Sequence, residues 1–182
     1  MASAWHYGIE GKLHELSGNI HRLAMLNLRK VFTAFAVFSL IIYLIMAFRL
    51  LIFRNAAMFS QALESIGLPR YHSSYNLVPL KTIIGYVTAL VDGSMNRYIP
   101  IQNIVGNLLA FMPLGFYFPF FIKKMAELKK FAITVSGLII AVELMQFILR
   151  VGSLDIDDFI LNLVGALIGF AICTHRPVSY LL

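Results

Sequence analysis

The stretch FAITVSGLIIAVELMQFIL, residues 131–149, decides the fold of this chain. It is about as long as a helix must be to cross a hydrocarbon core of about 30 Å, and Glu143 is its one charged residue. Because hydrocarbon offers a backbone no hydrogen-bond partners, the stretch must form an α-helix. An ionisable side chain inside such a helix costs about 2.5–3.5 kcal/mol on insertion scales. The sequence therefore predicts a membrane helix in which Glu143 is a candidate catalytic or ligand-binding residue.

The composition of the whole chain agrees with a membrane protein. Hydrophobic residues make up 59% of the 182 residues and charged residues 13%, whereas soluble domains hold about 25% charged residues. The net charge of +6 lies largely beside apolar stretches, where it sets topology and contacts anionic lipid headgroups. Membrane lipids are therefore expected partners, and nucleic acid is not. The single cysteine, Cys173, leaves no pair for a disulfide.

Apolar stretches along the chain predict an all-α fold, an integral membrane bundle of four transmembrane helices with interfacial amphipathic segments. The stretches are Val31–Phe53, Ile104–Ile122, Phe131–Leu149 and Phe159–Cys173. The last of them is short, and it spans the bilayer only if its helix begins near Asp157 or if the bilayer thins locally.

The chain divides by pattern into an N-terminal segment, residues 1–30, and a transmembrane domain, residues 31–182. Apolar residues recur at helical spacing in Lys12–Lys30, which predicts an amphipathic helix on the cytoplasmic surface. A soluble or tag-derived segment is the other interpretation. Asn55–Ile66 is a second interfacial candidate. Thr82–Val91 is apolar but too short to cross, so we expect it to be re-entrant or interfacial.

Lysine and arginine residues predict the orientation of the helices. The N-terminal segment and the loop Lys123–Lys130 hold four each, and Arg176 follows the fourth apolar stretch. Residues 54–103 also hold four, but this segment is longer and partly acidic, so it weighs less. The first three regions lie on one side if the chain crosses the membrane four times, and that side should be the cytoplasm. Both termini are therefore predicted to be cytoplasmic, with residues 54–103 and 150–157 outside.

Polar residues lie in the outward halves of the last three predicted helices and in the loop before them. Glu143, Gln146 and Arg150 share one helical face, and Asp158 and Asn162 share another. Because these positions are near one membrane surface, we expect them to converge on a ligand-binding site, to which no metal is assigned. The candidate residues are Asn76, Pro79, Asn107, Glu143, Gln146, Arg150, Asp155, Asp157, Asp158 and Asn162.

Each of these residues also has a structural interpretation. Buried amides can hydrogen-bond membrane helices to one another. Asp157 and Asp158 can cap the fourth helix, because acidic residues are favoured at helix N-termini. Glu143 can be a structural residue that pairs with an arginine. Gly165 and Gly169 have the spacing of a close helix–helix contact, which is more often packing than function.

Motifs along the chain resemble, in the same order, those of the VanZ-like membrane protein family. They are NLVPL (76–80), NIVGNLLAFMPLG (103–115), ELMQ (143–146) and DIDDFILNLVG (155–165). The resemblance covers about residues 31–173. Many family members carry an arginine three positions before the first aspartate of the last motif, where this chain has Gly152, and the nearest arginine here is Arg150.

The resemblance implies a multi-pass protein of the bacterial plasma membrane. It connects the chain with low-level resistance to teicoplanin, a glycopeptide that carries a fatty-acyl tail. It implies no settled reaction, so whether the chain is an enzyme stays open, and no cofactor is predicted.

Three classes of function fit these residues. The first is binding of an amphiphile, either a teicoplanin-like lipoglycopeptide or a lipid-linked cell-wall precursor, in an outward-facing polar cavity near Glu143. The alternative is an intramembrane enzyme in which Glu143 is the acid or base and Asp155, Asp157 or Asp158 hold Mg²⁺ or Ca²⁺. A small transporter is a third class, and it would need to form an oligomer. A cleft that opens sideways to lipid favours binding, and an ordered metal favours the enzyme.

Overall fold

The computed structural model describes residues 2–53, 75–148 and 152–174, and the side chains of the first helix over residues 16–49. Its elements, in chain order, are helix α1 (Ala2–Phe53), strand β1 (Tyr75–Asn76), helices α2 (Lys81–Asp92), α3 (Tyr98–Phe111), α4 (Leu114–Phe121) and α5 (Leu128–Ile148), strand β2 (Leu154–Asp155) and helix α6 (Ile156–Thr174). A 3-10 turn, Lys123–Ala126, joins α4 to α5. The predicted all-α class is confirmed.

Within the described residues, four helical stretches are long and apolar enough to cross a membrane, as the sequence predicts. They are Leu16–Arg49, Tyr98–Phe121, Leu128–Ile148 and Ile156–Thr174. The last begins beside Asp157 and has 19 residues. At 1.5 Å per residue this helix is roughly 28 Å long, close to the thickness of a hydrocarbon core. The fourth stretch was expected to span the bilayer if its helix began near Asp157, and the helix does begin there.

Helix α1 is continuous for 52 residues. It joins Lys12–Lys30 to the first predicted span, where the sequence suggested two separate elements. The chain forms two compact units that divide inside this helix, Met1–Ile42 and Tyr43–Leu182. In the first unit most described side chains are exposed and apolar, as in a helix surrounded by lipid. The predicted boundary at residue 30 stays a prediction, and Asn55–Ile66 lies outside the described residues.

The hydrophobic core of the second unit lies where α3, α4, α5 and α6 meet. Every fourth residue of α5 is buried, which gives one stripe that faces its neighbours: Phe131, Val135, Ile139 and Glu143. Phe131 stacks on Phe170 with ring centroids 4.6 Å apart. The stripe is apolar up to its last member, so Glu143 marks the point where the core changes from apolar to polar.

Two glycines let α6 touch α3 backbone to backbone. A Cβ built on Gly165 would lie 2.0 Å from the carbonyl oxygen of Leu108, and one built on Gly169 would lie 2.0 Å from that of Met112. The close approach predicted from their spacing is confirmed. Because both contacts advance by four residues in the same direction, α3 and α6 run parallel. The second and fourth spans therefore cross in the same direction, as a chain with four crossings requires.

The second span is interrupted at Pro113. Helix α3 ends at Phe111 and α4 begins at Leu114. Proline has no N–H to donate, so carbonyl groups of the preceding turn need other partners. The Tyr43 hydroxyl donates to the carbonyl oxygen of Ala110 at 2.7 Å. The C-terminal part of α1 is thereby tied to the interruption.

Candidate functional site

The site begins with a short parallel strand pair that ties the loop after β1 to the start of α6. Tyr75 pairs with Leu154, and Asn76 pairs with Asp155. The Asn76 side chain accepts the backbone N–H of Val78 at 3.2 Å, which closes a tight turn. The loop with the asparagine and proline therefore folds back onto the end of the helix bundle.

Asp155 is buried and connects three parts of this region. Its Oδ1 accepts the Asn76 amide at 3.1 Å and the backbone N–H of Asp157 at 2.9 Å. Its Oδ2 accepts the Thr82 hydroxyl at 2.6 Å. Since α6 begins at Ile156, the bond to Asp157 makes Asp155 the cap of its own helix.

Asp157 caps a different helix. It is fully buried, and its carboxylate accepts the backbone N–H groups of Leu80 at 2.5 Å, Thr82 at 2.7 Å and Ile83 at 3.1 Å. These donors belong to the beginning of α2, whose own N-cap residue, Leu80, provides no side-chain hydrogen bond. Leu80 has φ 65°, a conformation that costs a non-glycine residue roughly 1–3 kcal/mol and persists where the surroundings hold it.

A second set of polar side chains, on α3, α5 and α6, joins these three helices by hydrogen bonds. The Asn107 amide of α3 donates to the Asp158 carboxylate of α6, and the Asn162 amide of α6 donates to Glu143 Oε1 of α5 at 3.5 Å. Asn107, Glu143 and Asn162 are 6%, 6% and 2% exposed. Asn162 Oδ1 is buried and accepts no hydrogen bond from the described part of the chain. Amides and carboxylates thus bridge helices here, as the structural interpretation expects.

A cavity of about 260 Å³ lies between the start of α6, helix α5 and the loop before α2. Its lining is apolar except for two carboxylates: Leu77, Ile140, Glu143, Leu144, Leu154, Asp155, Ile156 and Phe159. Leu77, Ile140 and Leu144 are 64%, 49% and 44% exposed. Two of these residues, Ile140 and Leu144, lie on α5, so one edge of the cavity is at the exposed surface of a helix long and apolar enough to cross a membrane.

The predicted site residues fall into separate groups. Glu143 and Asp155 line the cavity. Gln146 is half-buried and lies beside Gly152. A Cβ built on Gly152 would lie 3.4 Å from the Cβ of Gln146. Pro79 is exposed in the turn before α2. Arg150 lies outside the described residues. The ligand-binding role of all ten stays a prediction.

Sequence reasoning missed two kinds of residue. Thr82 binds Asp155 through its hydroxyl, and its place in the first turn of a short helix was the available signal. The apolar cavity residues carry no signal of their own, because a leucine that lines a cavity has the same pattern as one that faces lipid. Within the described residues, no group of three or more His, Cys, Asp or Glu side chains could hold a metal ion.

The VanZ/LLP1 family model matches residues 35–178, which include every part of this site. The chain belongs to the VanZ/LLP1 family. It is similar to Protein VanZ of Enterococcus faecium, with 35% identity over 68 residues. Those residues are 37% of this chain and 42% of that protein, so the match spans less than half of this curated relative. No solved structure matches the chain.

Proposed function

We propose that this VanZ/LLP1-family protein binds an amphiphile at the bacterial plasma membrane, with the acyl part of the ligand in the cavity beside Glu143. The ligand is a teicoplanin-like lipoglycopeptide or a lipid-linked cell-wall precursor. The observation that carries the proposal is an apolar cavity that has two acidic residues in its wall and an edge at the exposed surface of α5, where lipid would contact a membrane-spanning helix. Membership in the family is consistent with teicoplanin resistance at the level of the family.

The volume of the cavity limits which part of the ligand it can hold. Pockets for whole small molecules measure about 300–1,000 Å³. A cavity of about 260 Å³ suits a segment of an acyl chain or part of a head group. Each buried methylene contributes about 0.8 kcal/mol, so a segment of about six carbons would contribute roughly 5 kcal/mol. The rest of the amphiphile would lie outside the cavity.

The Glu143 carboxyl group suits the polar end of such a ligand. Glu143 and Asp155 are both buried residues of the cavity wall, but both oxygens of Asp155 already accept hydrogen bonds from the chain. A carboxylate accepts hydrogen bonds from hydroxyl, amide and ammonium groups. Glycopeptides and lipid-linked sugars present these donors next to their lipid part, so one site could recognise both classes of ligand.

The contacts of the aspartates favour binding over a metal-dependent enzyme. Each oxygen of Asp155 and of Asp157 already accepts a hydrogen bond from the chain. A cation would have to displace these donors and release the start of α2. An enzyme would therefore have to use Glu143 as its acid or base, and Asp155 and Asp157 would hold no metal ion.

The proposal is tested by filling the cavity with a larger side chain. Ile140→Phe enlarges a lining residue, and Ile133→Phe makes the same change on the same helix at a position outside the lining. Each variant is expressed in a Gram-positive host that is susceptible to teicoplanin. The inhibitory concentration is measured for teicoplanin and for its deacylated form.

We expect the wild-type protein and Ile133→Phe to raise the inhibitory concentration of teicoplanin, and Ile140→Phe to lose this effect at equal membrane abundance. If teicoplanin itself is the ligand, its deacylated form should inhibit all strains equally, because it lacks the group that the cavity would hold. Equal protection against both drug forms that Ile140→Phe abolishes would instead favour the lipid-linked precursor. Protection that survives Ile140→Phe would contradict acyl binding in this cavity.

A further inference from the structure

Helix α2 carries an apolar surface that faces away from the protein. Ile84, Val87 and Val91 are 60%, 49% and 84% exposed. Their spacing of three and four residues puts them on one helical face. We call these three residues the α2 apolar face.

The composition of α2 does not suit a helix at a water interface. A surface helix in water has a polar outward face, whereas a helix that is apolar on all sides lies in a core or a membrane. Between Lys81 and Asp92 the sequence of α2 has no charged residue. Its inward face is also apolar, with Ala89 buried. The α2 apolar face therefore requires an apolar environment.

The length of α2 decides which part of the bilayer it can occupy. The helix has 12 residues, which make it roughly 18 Å long, too short for a hydrocarbon core of about 30 Å. Its first turn is fixed by Asp157, which accepts the N–H groups of Thr82 and Ile83. Asp157 is the second residue of a membrane-spanning helix. The start of α2 is therefore held at the level where that span begins.

Cationic side chains stand at both ends of this helix. Lys81 is its first residue, and Arg97 follows its end by a short turn; both are exposed. Long basic side chains beside apolar surface place their charge among lipid phosphates while their stems stay in the apolar layer. This charge pattern suits a lipid surface better than the apolar face of a second protein.

We propose that α2 is an interfacial helix whose apolar face inserts among the acyl chains of the leaflet at the Asp155 end of the bundle. The partner is the lipid surface itself, with Lys81 and Arg97 at the phosphates. The proposal does not depend on the ligand or on the resistance function. It chooses the interfacial arrangement over the re-entrant one that the sequence left open.

Depth-dependent fluorescence quenching tests this arrangement in the full chain. Trp5 is the single tryptophan of the sequence and is replaced by phenylalanine. Ile84→Trp and Val91→Trp then report separately from the α2 apolar face, and Leu138→Trp reports from the middle of α5. Each protein is reconstituted in phosphatidylglycerol and phosphatidylcholine vesicles whose acyl chains are brominated either near the head group or near the chain end. A soluble tryptophan amide is the reference for quenching by iodide in water.

We expect shallow bromines to quench Ile84→Trp and Val91→Trp at least twofold more than deep bromines, with the opposite order for Leu138→Trp. Iodide should quench the two α2 variants far less than the soluble reference. Iodide quenching equal to that reference would place the face in water. Quenching by neither agent would mean that protein covers it, and the deep pattern of Leu138→Trp would mean a re-entrant helix. Each of these results overturns the proposal, and two reporter positions guard against a variant that does not fold.

Discussion

The carboxylate of Asp157 accepts the backbone N–H of Thr82 at 2.7 Å, across 75 residues of sequence. A side chain at the start of one helix thus caps the start of another. The loop between β1 and α2 is held at both ends, by this cap and by the pairing of Asn76 with Asp155. Because Leu77 of this loop lines the cavity and Asp155 is part of its wall, we infer that the two aspartates fix the shape of this side of the cavity.

We therefore expect Asp157→Asn to destabilise the protein. The amide keeps one acceptor oxygen, and its NH₂ group must face either the N–H group of Leu80 or those of Thr82 and Ile83. Hydrogen bonds to charged groups contribute about 1.5–3 kcal/mol, so the expected loss is roughly 2–4 kcal/mol. The measurement is thermal unfolding in detergent, together with hydrogen exchange of the amides at the start of α2.

Asp92→Asn is the matched control for this change. Asp92 ends α2, and its pKa lies below the ordinary value because the side chain and backbone N–H of Ser94 stabilise the carboxylate. It is exposed to water, which weakens these interactions, so the same substitution should change the unfolding midpoint far less than Asp157→Asn does. If Asp157→Asn behaves like the control and the α2 amides keep their protection, Asp157 does not cap α2.

Substitution of the packing glycines gives a second prediction. Gly165→Ala would force a methyl group against the Leu108 carbonyl, and Gly169→Ala against that of Met112. Backbone atoms cannot rotate aside, so the expected loss is at or above the upper end of the 1–3 kcal/mol that is typical of overpacking, about 3 kcal/mol. The measurement is the fraction of monodisperse protein after heating in detergent.

Gly137→Ala provides the comparison on α5, because nothing lies within 4 Å of its added methyl group. It should be neutral or stabilising by up to about 1 kcal/mol, since alanine favours helix more than glycine does. Equal heat resistance of all three variants would show that α3 and α6 are not in backbone contact.

The spans and their packing could be predicted because the bilayer requires specific sequence patterns. An apolar stretch of about 20 residues indicates a membrane-spanning helix, and small residues four apart indicate close helix contacts. Polar residues at similar depth indicated that Glu143 and Asn162, and Asn107 and Asp158, lie near one another, but not which of them form hydrogen bonds. Whether these residues bind a ligand stays a prediction.

The role of Asp157 could not be read from sequence for a physical reason. Its partners are backbone N–H groups, which every residue except proline possesses, so they leave no side-chain pattern. Acidic residues at a helix start predict a cap for that same helix, and here Asp155 takes this role. The continuity of α1 was not predicted, because the first half of the helix looks amphipathic and was interpreted as a separate surface element. A single helix can pass from the membrane surface into the bilayer without a break.

Topology gives a third prediction. In a Cys173→Ser background, Ser94→Cys should react with a membrane-impermeant maleimide on intact cells, and Glu127→Cys should react only after permeabilisation. Both native positions are exposed. The reason is the lysine-rich loop around Glu127, which positive charge retains in the cytoplasm. Labelling of Glu127→Cys on intact cells would reverse the assignment of both termini to the cytoplasm.

The fourth prediction concerns the charge of Glu143. Its side chain is 6% exposed on a membrane-spanning helix and lines the cavity, so a carboxylate there is costly unless something requires it. Glu143→Gln keeps the shape and an acceptor oxygen for Asn162 but removes the charge. We expect it to abolish teicoplanin resistance while the protein accumulates normally in the membrane. The measurement is the inhibitory concentration at matched membrane abundance.

Glu127→Gln is the control, since it makes the same chemical change at an exposed residue that pairs with Lys130 at 2.5 Å. It should leave resistance intact. Glu143→Leu distinguishes a structural glutamate from a functional one. A structural glutamate can be replaced by leucine with equal or better membrane insertion, whereas a functional one should lose activity in this variant as well. If Glu143→Gln protects cells as well as Glu127→Gln does, the charge is not needed. Recognition would then depend on the neutral amides and on the shape of the cavity, and an enzyme based on Glu143 would lose its acid or base.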